Sequence, residues 1–328
     1  MRRSYAVPKT KVSRIDSNGG RSSPVFGRVY WSPTKSVWMI IISVGAILGG
    51  YATFSWGALA LCLVTSAIVL CAGYSVGIHR RLIHNSFECS QWLENCLVYL
   101  GVLGSTVGPY SAIEQHDLQE WAHRQPKCHR YFSHSHNPLL DWYWAMHCDI
   151  QLECPPIVRY EPRIAQNQFY QWLEQTKVLQ QLPLAIAFYY LGGWSWVFWG
   201  IYVRIFLCAN AQWLTQYLAH NWGERSRKLR NVGVSLNNLP FAGLLTMGEG
   251  WQNNHQSFPL SACFSLGPNQ YDPGWWLIKA LRSIGLAWNI QRVNAVVLKQ
   301  TILKNQVFTS PSQSLASTER IRQKATAE

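Results

Sequence analysis

The sequence predicts an all-α, multi-span membrane protein, with two transmembrane hairpins that make four spans and a cytoplasmic helical cap that carries histidine clusters. Three observations support this fold class: several apolar stretches have membrane length, only 14% of the residues are charged, and all ten histidines lie from His79 to His255. An average soluble domain has about 25% charged residues. The chain therefore separates apolar spans from polar segments that bear histidine.

The first 34 residues are rich in Ser, Pro, Gly and Arg and show no periodic pattern, which predicts a flexible basic tail. Eight Lys and Arg residues precede the first apolar run, and the positive-inside rule places such a segment in the cytoplasm. The formal net charge of +13 suits membrane lipids with anionic headgroups as partners. Nucleic acid is not expected as a partner, because no basic helix carries base-reading side chains.

Two apolar runs follow the tail, at 36–54 and 56–77. Each would reach roughly 30 Å as a helix, which is the thickness of the hydrocarbon core of a bilayer. Only a tight turn separates them, so we expect an antiparallel hairpin that returns the chain to the cytoplasm at His79. The run 93–108 is shorter and interrupted by Gly, which predicts a buried or interfacial helix.

A second hairpin is predicted from 182–202 and 203–218. Its second arm contains Arg204 and Gln216, and polar groups at membrane depth must face the protein interior or a cavity. Two hairpins would place both termini and every histidine cluster in the cytoplasm, as in a multi-pass integral membrane protein.

The chain is thus divided into a flexible basic cytoplasmic tail (1–34), a membrane domain (35–290) and a polar C-terminal extension (291–328) that we expect to be partly disordered. Nine cysteines are scattered without any CxxC pair. This pattern predicts reduced thiols and argues against a disulfide framework or a ribbon-type zinc site.

The histidines are the main candidates for chemistry, because a neutral imidazole suits iron, zinc or copper. His79 and His84 are five residues apart, which separates them by roughly 140° on an α-helix. They would bind two neighbouring ions, or one ion if the helix is distorted. His116, Glu120 and His123 share one face of a helix at i, i+4 and i+7.

Pro126 is expected to end that helix and to present His129 on a loop. His220 closes the second hairpin, and His255 lies in a segment flanked by Gly. The remaining three histidines are interpreted as ordinary hydrogen-bonding residues; they are His134, His136 and His147.

Four segments together identify a family. HRRLIH (79–84), EQHDLQEWAHRQPKCHRYF (114–132), AHNWG (219–223) and GEGWQNNHQSFP (248–259), the last followed by DPGWW, resemble the membrane-bound fatty acid desaturases of the acyl-CoA desaturase type. The resemblance covers about 35–290. It implies four membrane spans, a cytoplasmic centre of two iron ions held by histidine boxes, and an apolar tunnel for the acyl chain. It also implies a separate electron-donor protein.

Residue by residue, His79 and His84 match the first histidine box, and His220 matches the histidine after the fourth span. The usual HxxHH of the last box reads QNNHQ, so only His255 is retained. In the second box, HRQPKCH offers His123 as first and His129 as last histidine, with Cys128 in place of a neighbour, and His116 is recruited in compensation. The resemblance thus implies seven metal ligands: His79, His84, His116, His123, His129, His220 and His255.

Three further residues are candidates for weaker ligation or for contact with the ligands: Gln252, Gln256 and Asn254. An amide oxygen is a weaker and harder ligand than imidazole, so Gln at a ligand position lowers iron affinity. Glu249 is a candidate partner for a histidine or a helix cap. No catalytic residue separate from the metal centre is predicted.

The function predicted on this basis is that of an O2-dependent fatty acyl desaturase, an oxidoreductase of fatty acid biosynthesis. Its acyl substrate is a coenzyme A thioester or is linked to a lipid. Two alternatives stay open at this point. One is a catalytically degenerate desaturase-fold protein that binds lipid or a partner, and the other is a related fatty acyl hydroxylase.

Overall fold

The apolar runs form helices in a computed structural model that describes residues 13–104, 107–227, 229 and 232–293. In this part of the chain the helices are α1 (Pro33–Ala52), α2 (Trp56–Ile83), α3 (Gln91–Gly104), α4 (Pro109–Arg124), α5 (Arg130–Ser133), α6 (Pro138–His147), α7 (Pro162–Ala165), α8 (Gln168–Thr176), α9 (Gln181–Asn221), α10 (Gln252–Ser257) and α11 (Pro273–Ser283). The strands are β1 (Ile15–Asp16), β2 (Ser23–Trp31), β3 (Glu88–Cys89), β4 (Cys148–Cys154), β5 (Ile157–Val158) and β6 (Ala287–Trp288).

Three of the described helices, α1, α2 and α9, are long and apolar enough to cross a membrane. The shorter helices α3 and α4 pass the same test only as a pair, and the pair is bent by 78° at the break between them. The described structure thus has three candidate spans, or four if the bent pair is one span.

The first predicted hairpin is present as α1 and α2, which are separated by a short turn. Ser55 caps the start of α2, because its side chain accepts a hydrogen bond from the backbone N–H of Ala58. Helix α2 continues beyond the apolar run as far as Ile83. His79 therefore lies inside this helix and does not follow it.

The second hairpin reverses direction at a different place from the predicted one. The backbone stays helical from Phe198 to Val203, so the expected break at 202–203 is wrong. The non-helical residues are instead Gly192 and Gly193, and Gly193 has φ 64°, a value that glycine adopts without strain. Two Gly residues in succession supply the freedom that a reversal inside an apolar helix requires.

A long-range hydrogen bond demonstrates this reversal. Arg204 Nη2 donates to Gln181 Oε1 over 2.8 Å, although 23 residues would separate the two by roughly 35 Å along a straight helix. The guanidinium is fully buried and also donates to the carbonyls of Gly200 and Leu103. Arg204 therefore faces the protein interior, as expected for a charge on an apolar helix.

The turns of the two hairpins lie at the same end of the helices. Ser195 Oγ donates to the carbonyl of Thr53 over 2.6 Å, and Trp199 Nε1 donates to the carbonyl of Gly50 over 3.0 Å. His79 and His220 lie near the opposite ends of α2 and α9. The hairpins thus gather these histidines at the end of the helices remote from the turns.

Three two-stranded antiparallel sheets modify the all-α prediction. Strand β2 pairs with β4 from Trp31 opposite Cys148 to Gly27 opposite Leu152, and β1 pairs with β5. The third sheet joins β3 to β6. Ile15–Asp16 and Ser23–Trp31 therefore form strands where the sequence predicted a flexible tail, because their backbone groups pair with β5 and β4. Nearly all of the predicted C-terminal extension lies outside the described residues.

Candidate metal centre

The last part of α2 is a π-helix, from Val69 to Ile83. In this form the hydrogen bonds run from i to i+5, and the N–H of His84 donates to the carbonyl of His79 over 3.1 Å. Residues five apart then lie nearly above one another. The expected angular separation of His79 and His84 is therefore removed by the helix distortion, and their ring centroids are only 4.9 Å apart.

Four histidines converge from three helices. His79 lies in α2 and His84 directly follows its last residue, whereas His116 comes from α4 and His255 from α10. One nitrogen of each lies within 4.8 Å of those of the other three. The Nε2 atoms of His79 and His255 are 3.2 Å apart, and those of His84 and His116 are 3.3 Å apart. Tetrahedral coordination with metal–nitrogen bonds of about 2.0–2.1 Å places neighbouring nitrogens ~3.3 Å apart. This four-histidine group therefore fits one metal ion.

Glu249 fixes the orientation of the first of these rings. His79 Nδ1 donates to Glu249 Oε2 over 2.6 Å, which leaves Nε2 with its lone pair toward the group. Ser75 Oγ and Arg80 Nη1 donate to the other carboxylate oxygen, Oε1, over 2.6 and 3.1 Å. Burial by itself would raise the pKa of Glu249, but His79 and Arg80 outweigh it and hold this pKa below its ordinary value. Glu249 therefore acts as the partner of a histidine.

A second carboxylate holds the ring of His116. His116 Nδ1 lies 3.3 Å from Asp117 Oδ1, and Arg14 Nη1 donates to Asp117 Oδ2 over 2.9 Å. The same guanidinium donates to the carbonyl of Ile83 over 3.0 Å and to Glu161 over 2.7 Å. Arg14 is buried and belongs to the predicted tail. The N-terminal segment thus links the end of α2 to the helix that carries His116.

A second histidine group lies near the first and consists of His123, His134 and His220. The Nε2 atoms of His123 and His220 are 3.2 Å apart. His123 Nε2 donates to the carbonyl of Phe132 over 2.8 Å, and His220 Nδ1 donates to the carbonyl of Gln216 over 2.7 Å. In the described part of the chain, no third His, Cys, Asp or Glu joins His123 and His220 within 4.8 Å. The structure thus separates these two predicted ligands from the four-histidine group.

His129 also lies outside the four-histidine group. Its Nδ1 accepts from the backbone N–H of Tyr131 over 3.2 Å, so the side chain caps α5. Burial and the charge of Arg130 lower the pKa of His129, and burial raises the pKa of the neighbouring Cys128 to about 11. His147 Nδ1 pairs with Ser36 Oγ at 2.8 Å. The structure thus gives His129 a contact within its own turn and His147 a long-range contact with Ser36 in α1.

The amides of α10 bind backbone groups. Gln252 Nε2 donates to the carbonyl of Glu249 over 2.8 Å. Gln256 Nε2 donates to the carbonyl of Val234 over 2.8 Å, and its Oε1 accepts from the N–H of Leu236 over 2.9 Å. Asn254 and Asn253 are likewise hydrogen-bonded to backbone carbonyls. These side chains hold the loop before α10 in place.

Sequence reasoning missed Gln119 of α4 and named Glu120 only as a residue on the helix face of His116 and His123. Gln119 and Glu120 line a small cavity between the two histidine groups, together with Gln252 and Gln256. Gln119 and Glu120 follow His116 at i+3 and i+4, so they share its helix face. If His116 is taken as the first histidine of an HxxHH box, the other two histidine positions of that box fall at 119 and 120. This spacing would have identified both residues from the sequence.

A larger cavity of about 660 Å³ opens from the four-histidine group and is lined mainly by apolar side chains. His116, Gln252 and Tyr74 line its end at the four-histidine group, and Met39 and Leu214 belong to its apolar wall. Cavities of this size and composition are typical of small-molecule sites. An extended apolar ligand could therefore lie beside the four histidines.

Comparison with known proteins gives relatives over most of the chain, whereas no family model matches it. The chain is 32% identical to an sn-2 palmitoyl-lipid 9-desaturase of Nostoc sp. (strain 36), over 71% of this chain and 81% of the relative. It is 30% identical to an sn-1 stearoyl-lipid 9-desaturase of Anabaena variabilis, over 78% and 93%. It is 29% identical to an acyl-CoA C20 Delta5-desaturase of Anemone leveillei, over 84% and 88%.

Proposed function

Since this chain belongs to the fatty acid desaturase family, we propose that it introduces a double bond into a fatty acyl chain, with O2 as the oxidant. The observation that carries the proposal is the junction of the four-histidine group with the large apolar cavity at His116. The substrate class is a fatty acyl group carried by a lipid or by coenzyme A, in agreement with the names of its relatives.

We propose that iron is held by His79, His84, His116 and His255. Iron supplies the oxidising chemistry that an unactivated C–H bond requires. Glu249 keeps a proton on His79 Nδ1, and Asp117 does the same for His116. The Nε2 atoms are then deprotonated and available as ligands.

The reaction balances with an external reductant. The saturated acyl chain loses two hydrogen atoms from adjacent carbons, and O2 takes up these two hydrogens, two further electrons and two protons to give two molecules of water. The two further electrons come from a separate electron-donor protein. The apolar wall of the cavity excludes water from the acyl chain, which protects the reacting carbons from side reactions.

We also propose the membrane arrangement predicted from the sequence. Helices α1 and α2 form the first pair of spans, and α9, which reverses at Gly192–Gly193, forms the second hairpin. The four histidines then lie in the cytoplasm with both termini. The basic residues before α1 support this orientation.

The proposal is tested by expressing the full chain in a host that lacks the corresponding desaturase and measuring lipid-bound fatty acids by gas chromatography. We expect a new unsaturated product from the original protein and none from a His79→Ala variant. His136→Gln, outside both histidine groups, is the matched control and should retain product. A folded protein that yields no unsaturated product would support the degenerate alternative, and a hydroxylated product would support the hydroxylase.

A further inference from the structure

Two trios of residues share the i, i+3, i+4 spacing that places three side chains on one helix face. One trio lies on α4 and the other on α10, and the cavity between the two histidine groups touches every member. Each trio contains a single histidine, and the other four positions are Gln or Glu. The trios are His116, Gln119 and Glu120 on α4, and Gln252, His255 and Gln256 on α10.

The amides at the substituted positions of α10 are engaged elsewhere. Gln256 uses both ends of its amide on the backbone of Val234 and Leu236. Gln252 donates to the carbonyl of Glu249, one turn earlier. An amide oxygen is also a weaker ligand for iron than an imidazole nitrogen. These side chains therefore stabilise the local fold and do not complete a second metal site.

His123 and His220 of the second histidine group do not replace these amides as ligands for a second ion. His123 Nε2 carries its proton toward the carbonyl of Phe132, so that nitrogen has no lone pair for a metal. His220 donates from Nδ1 to the carbonyl of Gln216, and its Nε2 lies 3.2 Å from Nε2 of His123. Among the described residues, no third His, Cys, Asp or Glu completes a ligand set around His123 and His220.

A further group of possible ligands, His116, Asp117 and Glu120, overlaps the first one. His116 already belongs to the four-histidine group, and its Nδ1 lies against Asp117. Asp117 is paired with the buried guanidinium of Arg14, and Glu120 with Arg124. Occupation of this group by an ion would compete with both ion pairs and with the His84–His116 contact.

We propose that this chain binds one metal ion, held by His79, His84, His116 and His255, and that the second ion implied by the family resemblance is replaced by a hydrogen-bonded network of side chains. This inference rests on the proposed function only in that the four-histidine group binds iron. The electron balance of the reaction is the same with one ion or two, because the two external electrons come from the donor protein.

The number of ions per chain is the decisive measurement. The full chain is purified in detergent, loaded with Fe²⁺ and analysed for metal and protein content, and a parallel titration with Co²⁺ is followed by its visible absorption. We expect an end point of one ion per chain and, after oxidation, the electron paramagnetic resonance signal of isolated ferric iron. Two ions per chain would overturn this inference and leave the proposed function intact. No bound ion would overturn both.

Variants locate the ion independently of activity. His255→Ala should lower the content to none, whereas His220→Ala should leave one ion per chain. A loss of metal in a folded His220→Ala variant, checked by circular dichroism and gel filtration, would contradict the inference. The variant with Gln119→His, Glu120→His, Gln252→His and Gln256→His should bind two ions. If this variant is folded and still binds one, these four positions do not account for the missing ion.

Discussion

The four-histidine group and the second histidine group are both clusters of mostly buried imidazoles, yet their ring nitrogens have different partners. In the first group, His79 and His116 pair with carboxylates through Nδ1, and the Nε2 atoms converge. In the second, His123 and His220 donate to backbone carbonyls. His134 pairs with the carboxylate of Asp141, but it does not complete a ligand set with the other two in the described residues. Proximity of histidines therefore does not make a metal site, because the partner of each ring decides which nitrogen remains available.

The largest effect is expected from removal of one of the four converging rings. His255→Ala should abolish both iron binding and unsaturated product, because three imidazoles would remain around a site that four now enclose. The matched variant His123→Ala should retain iron. Iron content and fatty acid composition are measured for both variants. Equal loss of iron from the two folded proteins would remove the distinction between the two groups.

Glu249→Gln should have the next largest effect. Loss of the carboxylate that orients His79 should weaken metal binding by about 10–100-fold, as is typical when the partner of a metal-bound histidine is changed. The neutral amide would also leave the buried charge of Arg80 with Asp272 as its remaining carboxylate partner. A Co²⁺ titration measures the affinity. An unchanged affinity for Co²⁺ in this variant would show that the carboxylate of Glu249 does not influence metal binding by His79.

The same carboxylate should make the stability of the folded protein depend on pH in a defined direction. The folded-state pKa of Glu249 lies below its ordinary value of 4.5, so the ionised group stabilises the folded protein above that pH. This contribution is lost as the pH falls through the folded-state pKa. Thermal melts should therefore show a smaller loss of stability on acidification below about pH 4.5 for Glu249→Gln than for the original protein.

Arg14→Ala should have an intermediate effect. It removes the cation that holds Asp117 beside His116, and we expect metal affinity to fall about tenfold, at the lower end of such effects. Arg14→Lys should restore part of the loss through its charge, although it lacks the planar fork that contacts two carboxylates. The exposed Arg28→Ala in β2 is the control. If Arg14→Ala lowers thermal stability without changing Co²⁺ affinity, its role is structural only.

Gln256→Ala should have the smallest effect on the metal. It removes two hydrogen bonds to the backbone of Val234 and Leu236, and we expect a loss of about 1–3 kcal/mol in the free energy of unfolding. The iron content should stay unchanged. The exposed Gln166→Ala serves as the control for stability. A drop in iron content would make Gln256 a ligand and would contradict the single-ion centre.

Several parts of the fold followed from the sequence. Hydropathy predicted the first hairpin closely, because its two apolar runs are long and separated by a capped turn. The second hairpin was placed wrongly, because hydropathy varies little across 182–203 and the reversal depends on the backbone freedom of Gly192 and Gly193. The strands near the N-terminus were not predicted, since their pairing partners lie more than a hundred residues away.

The sequence by itself determined the family, because the order and spacing of HRRLIH, AHNWG and the segment around His255 can be read from the linear sequence without knowledge of tertiary contacts. It also predicted that the last histidine box is altered at Gln252 and Gln256. Tertiary structure decided which histidines meet. The π-helical hydrogen bonding of α2 brings His79 and His84 to one side, and long-range packing selects His116 over His123 and His129. Both effects depend on backbone geometry and on contacts between distant segments. The spacing of residues along the sequence does not specify either of these.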